Sequence, residues 1–503
     1  MTGRTGRVLL VVALVAVAAI VGGVVFNAST TEGTGGTPKA GPAPALTSAT
    51  GVSQAPPTAS TSSPAPVVSP PVPALWQQPI ASASPLLTPQ PVVNDAADAP
   101  TAAGLARVLN LDDPVLAGDD VAMIVTDAAS GTVLFNHDAT DAVAPASTAK
   151  LAVAVAALTM LGPDHRFYTS VRQGSRPGEI VLVGGGDPTL AGPKAVGAQG
   201  PGYPTPASLA ELASKTAAAL RAEGTTTVTV GYDASLFVGP QLAPGWKPVY
   251  QTEGDVAPVS ALEVDEGSQD LTKPGRVANP AAAAAGQFAA LLATYGITVT
   301  GVPRPDKAPT TPVTLAAVAS PPLDELVERM LGRSDNDLAE ALARQVAIAS
   351  GGPASFAGGV RAVKAALIAR GIEPTGFSMV DASGLSPLDR LTPALLAQLL
   401  RLALVPEPDR TDLSAIVTGL PIAGFYGTLG GRFVGPAAAG AGVIRAKTGT
   451  LNGVVSLAGY LPDASGATLV FAVVVNGVKL NAADVTEVAL DSILASLPGC
   501  GCH

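Results

Sequence analysis

Residues 443–476 read VIRAKTGTLNGVVSLAGYLPDASGATLVFAVVVN. Three apolar runs, Val443–Lys447, Val454–Leu461 and Thr468–Asn476, are separated by short segments carrying glycine, asparagine and aspartate. That is the pattern of neighbouring strands joined by tight turns. An amphipathic helical pattern follows from about Ala482 to Leu497. Far upstream, Val121–Val125 and Thr132–Phe135 flank the turn Ala128-Ala129-Ser130-Gly131 and predict a hairpin, after which Ser147–Leu161 has a helical apolar pattern. Five strands with little chain left for crossovers predict an antiparallel sheet contributed by both ends of one domain. The middle of the chain is then an insertion, and the fold class is α+β. The insert, 166–312, holds strand candidates Glu179–Val183 and Thr226–Val230 and helix candidates Ala207–Ala222 and Ala281–Tyr295. Helices dominate from Leu323 to Leu404, and no internal repeat is found.

The chain has 503 residues, of which only 14% are charged, with a net charge of −10. Its length leaves room for two or three domains, and its acidity argues against nucleic-acid binding, which needs a basic face. Three histidines (His137, His165, His503) and two cysteines (Cys500, Cys502) offer too few ligands for a multi-histidine metal site or a zinc ribbon. No metal or cofactor is expected. Arg4 and Arg7 precede the apolar run Val8–Phe26, whose length at about 1.5 Å per residue approaches the ~30 Å hydrocarbon core. Residues 1–26 are therefore expected to be a transmembrane anchor, with a cleaved signal segment as the rival reading. The one-sided arginines place the rest of the chain outside the cytoplasm. Residues 27–95 are rich in proline, alanine, serine and threonine, with only Glu32 and Lys39 charged as far as Val93. Such a segment cannot bury enough apolar surface to offset its chain entropy, and a disordered linker is expected. At 499–503 a disulfide across Cys500-Gly501-Cys502 would close a strained ring, so a disordered tail is expected.

Three short motifs carry the chemistry. In Ser147-Thr148-Ala149-Lys150, a hydroxyl that needs a base lies three positions from an amine, and positions i and i+3 share a helix face. Standing first on the helix would also put the hydroxyl in the positive field of the helix N-terminus. The bland reading is a helix cap with a solvated lysine. Ser334-Asp335-Asn336 lies between the apolar faces of Leu326, Val327, Met330 and of Leu338, Leu342, Val346. It reads either as a loop facing a cleft or as a helix N-cap. Lys447-Thr448-Gly449, followed by Thr450, closes an apolar strand. Its glycine would let an extended substrate lie against the strand edge; a charged edge lysine is the alternative.

Together, in this order, the three motifs are those of penicillin-binding proteins and class A β-lactamases. The wider context resembles the D-alanyl-D-alanine carboxypeptidase/endopeptidases of the penicillin-binding protein 4 type, peptidase family S13. The resemblance rests on Pro145–Leu151, Gly184-Gly185-Gly186-Asp187-Pro188-Thr189-Leu190, Pro244-Gly245-Trp246, Ser334–Glu340, Asp381-Ala382-Ser383-Gly384-Leu385-Ser386 and Lys447–Leu451. It covers roughly 96–497, and the long separation of Ser147 from Ser334 suits this branch, which carries extra domains between its first two motifs. It implies a penicillin-binding (D,D-peptidase) domain over 96–165 and 313–498, built as a sheet flanked by helices.

The resemblance also implies roles. Ser147 would attack the carbonyl between the terminal D-alanines of a peptidoglycan stem, with Lys150 as the preferred base. Ser334 and Lys447 would relay the proton to the leaving D-alanine. Asn336 would hold Lys150 and the substrate amide, Thr448 would bind the substrate carboxylate, and the backbone N–H groups of Ser147 and Thr450 would form the oxyanion hole. Gly449 and Trp246 are further substrate-binding candidates, Trp246 either lining the stem site with Tyr250 or packing beneath it. β-Lactams would act as covalent inhibitors and cross-links as additional substrates. Two departures concern stem recognition: Ala382 stands where glycine is usual, with Pro387 after the motif, and Lys247-Pro248-Val249-Tyr250 follow Trp246 without an acidic residue.

A Ser-His-Asp triad is disfavoured, because neither His137 nor His165 lies in a nucleophile-elbow context. A β-lactamase or esterase on the same scaffold is a second reading, although no glutamate can be assigned as its deacylating base. A non-catalytic wall-binding or β-lactam-sensing protein is a third, and would be expected to have lost a motif residue. Every residue assigned to bond breaking lies outside 166–312, so the insert is expected to align substrate, with Trp246 among the contacts, and not to form the catalytic cleft.

Overall fold

The structure, a computed structural model, describes residues 100–193, 203–310, 313–405 and 412–500. The expected anchor (1–26) and linker (27–95) lie outside the described residues. Among those described, no helix is long and apolar enough to cross a membrane.

Helix α1 (Ala102–Val108) leads into the hairpin β1 (Asp120–Asp127) and β2 (Val133–His137), and a 3-10 turn (Ala146–Ala149) runs into α2 (Lys150–Leu161). The insert holds β3 (Tyr168–Gln173), β4 (Glu179–Val183), α3 (Leu209–Ala222), β5 (Thr227–Asp233), α4 (Val249–Glu253), α5 (Pro280–Thr294), β6 (Thr298–Val299) and β7 (Arg304–Pro305). Then come β8 (Thr314–Ala319), α6 (Leu323–Arg333), α7 (Asn336–Ala349), α8 (Phe356–Ala369), α9 (Pro393–Leu404), α10 (Ser414–Gly419), β9 (Arg445–Leu451), β10 (Val454–Pro462), β11 (Thr468–Asn476) and α11 (Ala483–Leu494).

The expected sheet forms in the order β2-β1-β11-β10-β9, antiparallel throughout. Strand β11 shows why its sequence is apolar without alternation. Val470, Ala472 and Val474 face a core shared with the helices, while Leu469, Phe471, Val473 and Val475 face a second core under α1 and α11. Both faces are covered, so both sets of side chains are buried. Helix α2 is likewise buried continuously from Lys150 to Leu158, which makes it the hydrophobic axis of the helical side. A lysine at the head of that helix is therefore dehydrated by the fold.

The insert has its own sheet and its own core. Strand β8 falls in the stretch 313–498 expected for the penicillin-binding domain, yet it pairs with β3 in the insert's sheet. The expected boundary at 312/313 is corrected to the end of β8, because pairing and not sequence composition decides which sheet a strand joins. Three local differences also follow from tertiary contacts. Ser147 sits in the 3-10 turn before α2 and not on the α-helix. Strand β9 begins at Arg445 and continues to Leu451, held by β10 from Arg445↔Tyr460 to Leu451↔Val454, so the Lys-Thr-Gly motif is inside the strand. Cys500, expected in a disordered tail, is buried in the second core and disulfide-bonded; Cys502 lies outside the described residues.

Candidate active site

The 3-10 turn at 146–149 brings Ser147 over the first residue of α2, since residues three apart eclipse at three per turn. Lys150 Nζ is 2.9 Å from Ser147 Oγ, 2.6 Å from Asn336 Oδ1 and 2.6 Å from the Ser383 carbonyl oxygen. Lys150 is fully buried. Burial pulls its pKa down to about 8, although Asp381, Asp335, Glu340 and Asp337 act the other way. A neutral amine has two N–H groups and one lone pair. The carbonyls of Asn336 and Ser383 accept the two N–H groups, and the lone pair is left for the Ser147 hydroxyl.

A second pair stands beside the first. Lys447 Nζ lies 2.9 Å from Ser334 Oγ and 2.8 Å from the Thr448 carbonyl oxygen. It too is fully buried, and burial, then Lys150, hold its pKa well below the ordinary lysine value. Ser334 is not itself the N-cap, which is Asp335: it lies in the turn just after α6, in the left-handed region at φ 58°. This is the kind of local strain that clusters at functional positions. Asp335 caps α7 through the Leu338 N–H (3.0 Å), and Asn336 opens that helix. Behind this turn Asp335, Asp337 and Glu266 lie together. Arg329 pairs with Asp335 (3.1 Å) and Glu266, and Arg276 lies 3.6 Å from Asp337. Guanidinium groups already fill the place a cation would take.

Gly449 is required by β9's approach to the nucleophile. A Cβ there would meet Ser456 Oγ, the Pro145 carbonyl oxygen (2.9 Å) and the Ser147 nitrogen (3.0 Å). The face of β9 at Gly449 therefore packs on the serine turn, while β9 stands last in its sheet, so no further strand of that sheet covers the edge expected to receive substrate. Thr448 Oγ1 is 2.6 Å from Thr428 Oγ1, and the Thr450 hydroxyl donates to Glu487 of α11 at 2.8 Å. Ser147, Asn336 and Thr450 line one cleft of about 390 Å³ with Lys247, Tyr250, Glu253 and Asp255 of the insert and Leu385, Asn452 and Lys479.

One expectation is corrected by this cleft. Trp246, for which lining the stem site and packing beneath it were both open, is not one of its lining residues. Trp246 gives its indole N–H to Asp381 (2.7 Å) and packs edge-on against Phe356, 5.4 Å between centroids. The insert, expected to stand apart from the cleft, lines one wall of it, and its Asp255 carbonyl oxygen accepts from Asn336 Nδ2 at 2.8 Å. Neither His137 nor His165 is among the lining residues.

Several supporting residues carried no signal of their own. Asp381 accepts from the backbone N–H groups of Gly384 and Ser386, both 2.8 Å away, as well as from Trp246. Glu340 accepts from the N–H groups of Ala382 and Ser383 (2.8 Å each) and pairs with buried Arg344. Together they fix the loop whose Ser383 carbonyl holds Lys150. The Asp381–Ser386 stretch stood out in the sequence only through the family resemblance.

A model of the D-Ala-D-Ala carboxypeptidase 3 (S13) family matches residues 102–275 and 269–497 of the chain. The chain is 38% identical over 433 residues to carboxypeptidase DacB of Mycolicibacterium smegmatis, covering 84% of this chain and 89% of that protein. It is 30% identical over 452 residues to a D-alanyl-D-alanine carboxypeptidase of Actinomadura sp., covering 73% and 79%. The crystal structure of penicillin binding protein 4 from Haemophilus influenzae shares the fold, with a TM-score of 0.62 at 22% identity over 78% of this chain and 98% of that one.

Proposed function

The chain belongs to the D-Ala-D-Ala carboxypeptidase 3 (S13) family, and from that premise we propose that Ser147 is the nucleophile and Lys150 its base. The enzyme is a serine-type D-Ala-D-Ala carboxypeptidase, and its family acts on peptidoglycan outside the cytoplasm. The observation that carries the assignment is the 2.9 Å contact between Ser147 Oγ and a buried Lys150 whose pKa falls to about 8. At pH 7 roughly a tenth of such an amine is neutral, against less than a thousandth of an ordinary lysine.

In the first step Ser147 Oγ bonds to the carbonyl carbon of the penultimate D-alanine, and its proton passes to Lys150 Nζ. The oxyanion forms between the N–H groups of Ser147 and Thr450. As the peptide C–N bond breaks, Ser334 gives its proton to the leaving nitrogen and is reprotonated from the lysines, Lys447 lying 2.9 Å away. Thr448 holds the terminal carboxylate, and Asn336 orients the substrate amide. Water then attacks the acyl-enzyme, and the stem leaves one D-alanine shorter. A strained β-lactam amide follows the first step and remains on Ser147, which makes β-lactams covalent inhibitors. Ser147→Ala should abolish labelling by a fluorescent penicillin in a folded protein; persistent labelling sinks the assignment. Mass spectrometry of muropeptides separates loss of one alanine from splitting of cross-linked dimers, the second activity of this reading.

The apolar run Val8–Phe26 with its one-sided arginines supports an uncleaved anchor that tethers this head outside the membrane. Sequencing the mature N-terminus tests it: a start near Ser29 would make the segment a removed signal.

A further inference from the structure

A second cavity, of about 410 Å³, lies away from the serine cleft, within the volume range of ligand sites. It is lined by Val183 at the end of β4 with Gly184 and Gly185 after it, Asp233 at the end of β5 with Ser235 after it, His165 to Tyr168 before and in β3, Arg172, and Gln345 of α7. Strands β4 and β5 are parallel, so the cavity opens at the carboxyl ends of a parallel pair, the edge where open sheets carry ligands. The Gly184-Gly185-Gly186 run, which takes no part in the catalytic steps, shapes this edge. Side chains at Gly184 and Gly185 would collide with the backbone of Ala261 and Tyr168, and Gln345 Nε2 donates to the Gly185 carbonyl at 2.7 Å.

The free polar groups here are cationic. Among the described residues Arg172 donates only from Nε to Ser170 in its own strand, at 3.3 Å, and its two terminal nitrogens face no acceptor. Arg166 commits one nitrogen to the Ser320 carbonyl (2.7 Å). The single carboxylate, Asp233, is already occupied on both oxygens by the N–H groups of Ser235 (2.8 Å) and Ala308 (3.0 Å). Tyr168, also lining the cavity, is 59% exposed. Two guanidinium groups beside an exposed tyrosine, on a protein of net charge −10, recognise an anion of planar, bidentate shape.

We infer that this cavity is a docking site for a carboxylate of the peptidoglycan polymer, on a stem or strand other than the one being cleaved. The inference rests on the proposed function for its choice of polymer. Asn336 and Gln345 lie nine residues apart on α7, which places them on opposite faces, roughly 14 Å apart along the axis at 1.5 Å per residue. An extended five-residue stem reaches only about 17 Å, too short to pass around the helix and fill both sites. A neighbouring stem on the same polymer has the reach, and its docking raises the local concentration of scissile ends.

The test uses the full chain and Arg172→Glu, with Arg172→Gln if the first variant does not fold. Sedimentation with purified peptidoglycan should weaken about tenfold, and KM for polymeric substrate should rise to match. Penicillin acylation and hydrolysis of a short soluble peptide ending in D-Ala-D-Ala should be unchanged. Amidating the wall carboxylates with carbodiimide should reproduce the loss on wild-type protein, whereas stripping phosphodiester-linked polymers with hydrofluoric acid should not. Unchanged sedimentation of the variant, full binding to amidated walls, or loss on stripped walls overturns the inference. Failure of the wild type to cleave the short peptide would overturn the proposed function instead, whatever the sedimentation shows.

Discussion

Gly449→Ala adds one carbon at the point where β9 passes the nucleophile. Its Cβ would lie 3.0 Å from the Ser147 nitrogen and 2.9 Å from the Pro145 carbonyl oxygen, and closer still to Ser456 Oγ. Ordinary contact needs about half an ångström more at each backbone atom. Neither can rotate away, because both belong to the serine turn. Ser456 is fully buried and donates to Pro145 at 2.8 Å, so turning it away breaks a buried hydrogen bond. Relief must come from separating β9 from the turn, which widens the gap between the Ser147 and Thr450 N–H groups. A displacement approaching 1 Å in a reacting geometry costs on the order of 10²-fold, and loss of one oxyanion donor costs about 10²–10³-fold. Overpacking of this kind destabilises by about 1–3 kcal/mol. The second-order rate of penicillin acylation should therefore fall about 100-fold in a protein that still melts cooperatively. Adding Ser456→Ala removes the closest clash and should recover part of the rate. A Gly449→Ala rate within threefold of wild type would refute the argument that this glycine sets the spacing of the oxyanion site.

The pH dependence of acylation reports Lys150 directly. Its folded pKa is lowered to about 8, so the reactive neutral form is lost as pH falls. The rate should drop tenfold per unit below about 7 and level off above about 9; a midpoint near 10 would show an amine that burial has not perturbed. Trp246→Phe removes the indole N–H from Asp381 while keeping the contact with Phe356. The Asp381 oxygen keeps the Ser386 N–H, so the loss is that of one buried hydrogen bond, about 0.5–1.5 kcal/mol, read as a lowered Tm, with KM for the stem peptide unchanged; a large rise in KM would return Trp246 to the substrate wall.

The sheet was legible because its signals are local. The apolar runs of β10 and β11 and the glycine between the strands of the first hairpin survive any packing arrangement, and their short connections leave only antiparallel pairing. Strands β3 and β8 were missed because YTSVRQ and TLAAVA carry no distinctive pattern; each becomes a strand by pairing with the other. The bounds of β9 moved for the same reason, since the polar motif is held extended by β10 and not by its own apolar content. The site's residue types were legible as motifs, but the spacing i, i+3 in Ser147-Thr148-Ala149-Lys150 does not say whether the turn is α or 3-10. Nor does a sequence say that Lys150 is buried on all sides, and its depressed pKa follows from that burial.

The division of labour between insert and catalytic domain was misread on similar grounds. The motif residues all lie outside 166–312, and from the sequence that looks like separation. In the fold, Asn336 needs two partners on its amide: the oxygen accepts from Lys150, and the nitrogen must find an acceptor of its own. That acceptor is the backbone carbonyl of Asp255, 81 residues away. A backbone carbonyl leaves no trace in residue identity, so no motif could have announced it. Its consequence is chemical, because the amide orientation that presents oxygen to Lys150 is selected by what the nitrogen meets. Arg276 of the insert, beside Asp337, secures the same turn from behind. Replacing the insert by a linker would therefore leave Asn336 free to turn and strip one wall from the cleft. Acylation by penicillin and cleavage of muropeptides should fall together, because the insert helps to fix the geometry of bond breaking as well as the approach of the polymer.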